Sequence, residues 1–354
     1  MKTKSKSGNI GYAVVGLGRG MDHVRCASRA DHCDLLAVCD INPEAFHKLQ
    51  GKYDADTYTD LDEMLKRDDI DIVSICTPSG THSDLALKVA AAGKHALMEK
   101  PFDINVKKID KAVQAFEEKG LKLGCIFQNR LASGNQKAKQ IIDSGVLGKL
   151  ILTVAQVKWY RTQDYYNLNG GWRGTWALDG GGSLMNQGIH TVDLFQWMAG
   201  PVTSVFAYTD VEAHDIETED ISTAVLKMKN GAKAILISST ATYPGFGTTL
   251  DIHGIDGGIC MKNNDIKEIK YKGAKEEEIN DILRTYGPEK DMEFAVAADP
   301  STINRDTTHI QVKDMIEAVL ENRDPLIKGS EGRQAVEIVN AIYESARTGK
   351  EVFL

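Results

Sequence analysis

Residues 9–125 carry five short runs, at 11–15, 35–39, 72–76, 95–98 and 121–126, that are apolar almost from end to end. A strand with one wet face alternates apolar and polar side chains, whereas one that is apolar throughout is buried on both faces. Amphipathic stretches such as 84–92 and 106–119 lie between the runs. A chain that alternates in this way predicts an α/β fold, a parallel sheet covered by helices.

Beyond Arg130 the rhythm changes. A helical stretch at 137–144 closes on Gly145, an apolar run spans 151–159, and an aromatic loop leads to a helix across 188–198. Strand-like runs then follow at 202–208, 222–228, 232–239, 248–253 and 258–261 with no helix between them, the signature of a mostly antiparallel sheet in an α+β domain. Residues 264–306 are charged and weakly periodic and read as a long excursion or lid, and 307–321 and 331–347 as two closing helices. The expected division is a first domain over 8–127 and a second over 128–354. A length of 354 residues fits two domains.

The net charge of −8 excludes a non-specific nucleic-acid binder, which needs a basic face to displace counterions. The six cysteines form no CxxC pair and read as buried free thiols of a reducing compartment. No stretch has the apolar length of a signal peptide or of a membrane span. These features together predict a soluble cytoplasmic protein with a short mobile N-terminus, and no metal site is expected because no third ligand stands at a recognised spacing from His190 and Asp193.

The first apolar run leads directly into Gly16-Leu17-Gly18-Arg19-Gly20, and a helical stretch follows. Gly16 permits a tight turn, and Gly18 lets the backbone approach a pyrophosphate at a helix N-terminus. The usual spacing puts a third glycine where this chain has Met21, so Gly20 comes one residue early. Asp40 closes the second run, about 20 residues on, where a carboxylate accepts hydrogen bonds from a ribose diol. Ile41 and Asn42 follow it, with no arginine for a 2′-phosphate, which favours NAD over NADP. An ordinary strand-to-helix turn with Asp40 as a helix cap is the alternative. Thr77-Pro78 with His82, and Glu99-Lys100-Pro101, close the next two runs, and carboxyl ends of parallel strands are where open α/β sheets bind ligands.

With these motifs in order, and with Gly180-Gly181-Gly182 ahead of Gly188, His190 and Asp193, the chain resembles the Gfo/Idh/MocA oxidoreductases. The resemblance implies an N-terminal Rossmann fold, a C-terminal domain with a large, mostly antiparallel sheet, and assembly as a homodimer or homotetramer. It implies NAD as cofactor, bound through Gly16, Gly18, Arg19, Gly20, Asp40, Thr77, Pro78, His82, Glu99 and Lys100, and hydride transfer at a carbinol of a sugar or cyclitol. Lys100 matches the family's active-site lysine and His190 its general acid/base histidine. Asn186 stands where most members carry an aspartate, and an amide there hydrogen-bonds but transfers no proton.

Further words, Gln128-Asn129-Arg130, Trp159-Tyr160-Arg161, Asp164-Tyr165-Tyr166 and the stretch from Trp172 through Arg173 to Asp179, are similar to those of dehydrogenases that oxidise C3 of UDP-N-acetylglucosaminuronate. Glycoside 3-dehydrogenases share parts of this pattern. The resemblance implies substrate contacts from Lys100, Gln128, Arg130, Tyr160, Trp172, Arg173, Asn186 and His190.

Taking hydride from a carbinol leaves a proton on oxygen, so the chemistry needs a base there and a cation for the developing alkoxide. Lys100 and His190 supply these, with Asn186 and Asp193 one turn to either side of the histidine and Asp193 holding the imidazole in one tautomer. A capped helix with a satisfied histidine is the plainer alternative. Trp159, Trp172 and Trp176 cover the faces of a pyranose, and Arg161, Arg173 and Arg130 pair with an anionic substrate group, or the loop is a packed aromatic cluster. The expected activity is NAD-dependent oxidation of a secondary alcohol of a sugar or sugar nucleotide, at C3. An inositol dehydrogenase, a keto-sugar reductase and a non-catalytic NAD(H) sensor are the rivals.

Overall fold

The computed structural model describes residues 8–288 and 307–354. The N-terminus expected to be mobile and the second part of the expected 264–306 lid lie outside them. Two compact units divide the chain: one runs to Gln128 and resumes for a segment ending at Arg333, and the other starts at Asn129 and closes with Gln334–Leu354. Among the described residues no helix is long and apolar enough to cross a membrane.

The first unit is a six-stranded parallel sheet of β1 (Ile10–Val15), β2 (Cys33–Cys39), β3 (Asp56–Tyr58), β4 (Ile72–Ile75), β5 (His95–Met98) and β6 (Leu123–Cys125), in the order β3-β2-β1-β4-β5-β6. Every residue of β1, β4 and β5 is buried, as strands that are apolar but for Ser74 and His95 require. The edge strand β3, Asp-Thr-Tyr, is polar and three residues long, so no hydrophobic period announces it. Strand order reverses between β1 and β4, which opens a crevice at their carboxyl ends. Helix Val106–Glu118 is a plain case of local signals agreeing: Asn105 caps it by accepting from the amides of Lys107 and Lys108, and Ile109, Ala112 and Phe116 bury one face.

Helix Thr308–Leu320 also belongs to the first unit, so the expected second domain over 128–354 is interrupted. Its stripe of Val312, Met315, Ile316 and Val319 completes the core around Tyr12, Val14 and Val24. Gln311 bonds the backbone where β6 ends, accepting from Phe127 N at 3.0 Å and donating to Cys125 O at 3.0 Å.

The second unit holds an eight-stranded sheet of β7 (Leu150–Lys158), β8 (Val202–Asp210), β9 (Ile221–Met228), β10 (Lys233–Ser239), β11 (Gly247–Gly254), β12 (Gly257–Lys262), β13 (Asp265–Tyr271) and β14 (Val352–Phe353). Their order is β13-β12-β11-β7-β10-β9-β8-β14, and every neighbouring pair is antiparallel except β7 with β10. Alternate residues of β9, Ser222, Ala224, Leu226 and Met228, are buried, the period of a sheet with one covered face. Helix Ile189–Ala199 packs on β7 and β11. The described part of the expected lid is instead sheet and cover: β13 pairs with β12, and helix Glu276–Tyr286 packs on β13.

Candidate functional site

The turn after β1 is built as its glycines demand. Gly16 has φ +86°, and a Cβ there would lie 2.7 Å from Cys76 O. Gly18 is different, because a Cβ on it would meet nothing within 4 Å. Its bare backbone therefore faces open space at the head of helix Gly20–Ala27, which suits the close approach of a dinucleotide phosphate. Gly20 performs the packing duty of the missing third glycine despite its early position, since a Cβ on it would press on Val14 Cγ1 at 2.9 Å. Asp40 reaches this turn from the end of β2: one carboxylate oxygen accepts from Leu17 N at 2.7 Å and the other from Asn42 N at 2.9 Å. Each oxygen keeps a lone pair for a further donor. This set of turn, open backbone and carboxylate fits an NAD molecule.

Two residues expected to touch the cofactor, His82 and Glu99, are turned into the protein, and a third, Arg19, is tied to one of them. His82 is buried, with Nδ1 2.9 Å from Pro101 O and Nε2 2.8 Å from Thr77 O, so its ring ties together the loops after β4 and β5 instead of facing outward. Glu99 is buried too: its Oε1 lies 3.3 Å from His23 Nε2 and 3.5 Å from Arg19 Nε, and Oε2 accepts the Lys100 N–H at 2.9 Å. Burial alone would raise the Glu99 carboxyl, but the His23 hydrogen bond and the charges of Arg19 and Lys100 outweigh it and hold the group well below the usual carboxylate range. Arg19 is spanned between Glu99 and Asp22, the latter at 3.0 Å. Thr77 and Pro78 stay at the sheet edge, where the Thr77 hydroxyl meets that of Thr81 at 2.7 Å. Gln128, at the end of the unit, has a buried Oε1 with no hydrogen-bond partner among the described residues.

In the second unit His190 lies in the first turn of helix Ile189–Ala199, but the residues before it, Ser183–Gly188, form one π-helical turn. Such turns recur at functional sites. Asn186 sits within that turn. Its amide donates to Asp179 Oδ1 at 2.6 Å and its oxygen accepts from Gln187 Nε2 at 3.0 Å. Asp179 is fully buried and its other oxygen accepts from Gly174 N at 2.8 Å, so the carboxylate absent at 186 is present as a neighbour.

The arginines correct the expectation most. Arg130 does not await a substrate anion: it is buried and grips Asp193 through both carboxylate oxygens, Nε to Oδ2 at 2.8 Å and Nη2 to Oδ1 at 2.6 Å. The guanidinium fork matches a carboxylate in this way. Arg161 is buried over the rings of Trp159 and Tyr165 and donates to Tyr160 O and Gln187 Oε1. Arg173 stacks on Trp172 and Tyr165, and Tyr160 packs edge-on against Tyr243. The aromatic loop is therefore, in large part, the packed cluster of the plainer reading.

Two residues that no motif pointed to organise the glycine-rich loop. Glu219 is buried and accepts from Gly182 N at 2.9 Å, Leu184 N at 2.7 Å and Tyr343 Oη at 3.0 Å. A Cβ on Gly182 would overlap Glu219 O and one on Gly181 would overlap the Tyr343 hydroxyl, which explains the bare backbone. Glu219 and Tyr343 are far apart in sequence, and only an apolar helical period at 331–347 hinted that Tyr343 faces inward.

Burial pushes the Glu219 carboxyl up to about 7 in spite of those three donors. The folded chain then holds this proton more tightly than the unfolded chain. The resulting stability, about 3 kcal/mol from a rise of this size, is complete below about pH 4.3 and is lost as the pH climbs to about 7. His214 acts in the same sense, its value raised by the Asp220 hydrogen bond. Denaturant unfolding of the wild type should show stability falling from about pH 4, below this window, to about pH 8, above it, and Glu219→Gln should flatten the slope. Equal slopes in the two proteins would refute the assignment.

Residues 10–127 match the family model described as an oxidoreductase family with an NAD-binding Rossmann fold, and residues 135–260 match the GFO/IDH/MocA C-terminal domain. The chain is similar to the dehydrogenase WlbA from Bordetella pertussis, whose structure in complex with NADH and UDP-GlcNAcA has a TM-score of 0.88, 31% sequence identity and coverage of 98% of each chain. It is 23% identical over 350 residues to a myo-inositol 2-dehydrogenase of Thermotoga maritima, covering 96% of this chain and 97% of that protein. With the D-glucoside 3-dehydrogenase of Escherichia coli it shares 29% identity over 215 residues, 59% of this chain and 60% of that one.

Proposed function

From the premise that the chain belongs to the Gfo/Idh/MocA family of NAD-binding oxidoreductases, we propose that it oxidises a secondary alcohol on the sugar ring of a nucleotide-linked sugar, at C3, with NAD as the acceptor. The observation that carries this reading is the likeness, at 31% identity across 98% of both chains, to a dehydrogenase solved with NADH and UDP-GlcNAcA. The nicotinamide supplies the hydride acceptor when bound. Gly16, Gly18 and Gly20 shape the turn for its phosphates, and Asp40 accepts from the adenosine ribose.

Lys100 then provides the positive charge that stabilises the oxygen as hydride leaves, and His190 takes the proton. Asn186, fixed between Asp179 and Gln187, offers hydrogen bonds without proton transfer. This departs from a pair of acid/base groups on one helix and places the proton chemistry on Lys100 and His190. Trp172, Arg173 and Tyr160 are the proposed walls for the sugar, with Gln128 and its unpartnered oxygen as a further polar contact.

The test is NADH formation with NAD across UDP-GlcNAcA, UDP-GlcNAc, alkyl glucosides and myo-inositol. The nucleotide-linked sugars should give the highest kcat/KM, with the product keto group at C3 by NMR. A preference for myo-inositol or a simple glucoside would overturn the substrate class. No hydride transfer even at stoichiometric enzyme, with NAD bound, would make the chain a sensor.

A further inference from the structure

The first unit buries a chain of polar side chains that the hydride chemistry leaves unused. Tyr12 Oη lies 2.6 Å from Ser74 Oγ, and Ser74 Oγ lies 2.9 Å from His23 Nδ1. His23 Nε2 in turn lies 3.3 Å from Glu99 Oε1. Tyr12, Ser74 and His23 are wholly buried, on β1, β4 and helix Gly20–Ala27, and Glu99 nearly so at the end of β5. Polar groups so deep in a sheet core persist only when every one has a partner.

One assignment of hydrogens satisfies all of them. An ionised carboxylate only accepts, so His23 Nε2 carries the proton it shares with Glu99. A neutral ring then accepts at Nδ1, which the Ser74 hydroxyl supplies, and the Ser74 oxygen accepts from Tyr12. Burial pushes the Tyr12 hydroxyl well above its ordinary range, keeping it a donor. Ser74 and Tyr12 thereby fix which nitrogen of His23 faces Glu99. The carboxylate's remaining contacts are Arg19 Nε at 3.5 Å and the backbone N–H of Lys100 at 2.9 Å. The chain thus ends on the peptide group of the residue proposed to do the chemistry.

We propose that His23 is a positioning residue for Lys100: locked as one tautomer by Ser74 and Tyr12, it donates to Glu99 and so sets the carboxylate that anchors the Lys100 peptide. The proposal rests on the reading that Lys100 acts at the carbinol. Glutamine and asparagine separate the two ends of the ring. The amide nitrogen of His23→Gln reaches the place of Nε2 and still donates to Glu99, whereas His23→Asn reaches only the place of Nδ1.

The experiment compares both variants and Ser74→Ala in kcat, in KM for NAD, and in hydrogen exchange of the Lys100 amide. His23→Asn should lower kcat by about tenfold to a hundredfold, the range expected for a misplaced catalytic group, with KM for NAD within about threefold. The Lys100 amide should exchange faster by a similar factor, and Ser74→Ala, which frees the ring to turn, should fall between it and the wild type. His23→Gln should recover both readouts to within about threefold of the wild type. Equal losses in the Gln and Asn variants would overturn the proposal, as would unchanged exchange in either Asn or Ala variant. Exchange needs no turnover, so a wild type that binds NAD but transfers no hydride defeats the proposed function while the exchange order still judges the anchor.

Discussion

Lys100→Met should abolish hydride transfer at the level of kcat, by about a thousandfold or more, while NAD binding changes by no more than about twofold. Methionine keeps the length and apolar stem of lysine and removes only the charge, so packing beside Pro101 is preserved. The adenosine end of the cofactor is held by the glycine turn and Asp40, which the substitution leaves alone. What disappears is the cation at the oxygen where negative charge develops, an interaction felt in the transition state and hardly at all in the ground state. A loss of kcat with unchanged affinity for NAD is the signature of that kind of interaction. Pre-steady-state NADH formation with a nucleotide-linked sugar measures it directly, and a variant that turns over near the wild-type rate would remove Lys100 from the chemistry.

The parts of this arrangement that could be read in the sequence are those with a local cause. The parallel strands β1, β4 and β5 are buried on both faces and are apolar but for Ser74 and His95, so their positions follow from composition within a few residues. The alternation in β9 announces an antiparallel sheet with one covered face in the same way. Gly16, Gly18 and Asp40 lie together because a short turn joins β1 to its helix and the neighbouring strand ends beside it. The early Gly20 looks like a defect in the motif, yet the structure leaves no room there for a Cβ, which would press on Val14, as at a third glycine.

The features that escaped have causes far away in the chain. The return of helix Thr308–Leu320 is dictated by where β6 leaves backbone groups for Gln311, and no window along the sequence contains both. The glycines at 181 and 182 enter the sequence as part of a motif, and what requires them there is the close approach of Glu219 and Tyr343. His23 is one buried residue on an apolar helix face, and its meaning comes from Ser74 and Glu99 on two separate strands. Charged residues mislead for the same reason: an arginine next to aromatic words suggests a substrate anion, but its partner is whichever carboxylate the fold brings to it.

Arg130 makes that last point measurable. With Asp193 it forms a two-bond ion pair in which both side chains are almost wholly buried, 5% and 1% exposed. Truncating Arg130→Met leaves the Asp193 carboxylate in the interior without its cation, and breaking such a pair from one side costs about 3–5 kcal/mol. The double variant Arg130→Met/Asp193→Leu removes both charges and fills the space with apolar atoms, so it should regain most of that loss and can equal the wild type. Urea unfolding of the wild type, the two single variants and the double variant closes the cycle. A substrate-binding arginine would behave in the opposite way: the single variant would unfold like the wild type, KM for an anionic sugar nucleotide would rise, and the second substitution would rescue nothing. The buried geometry predicts the first pattern, a large loss of stability that the neighbouring carboxylate, once removed, gives back.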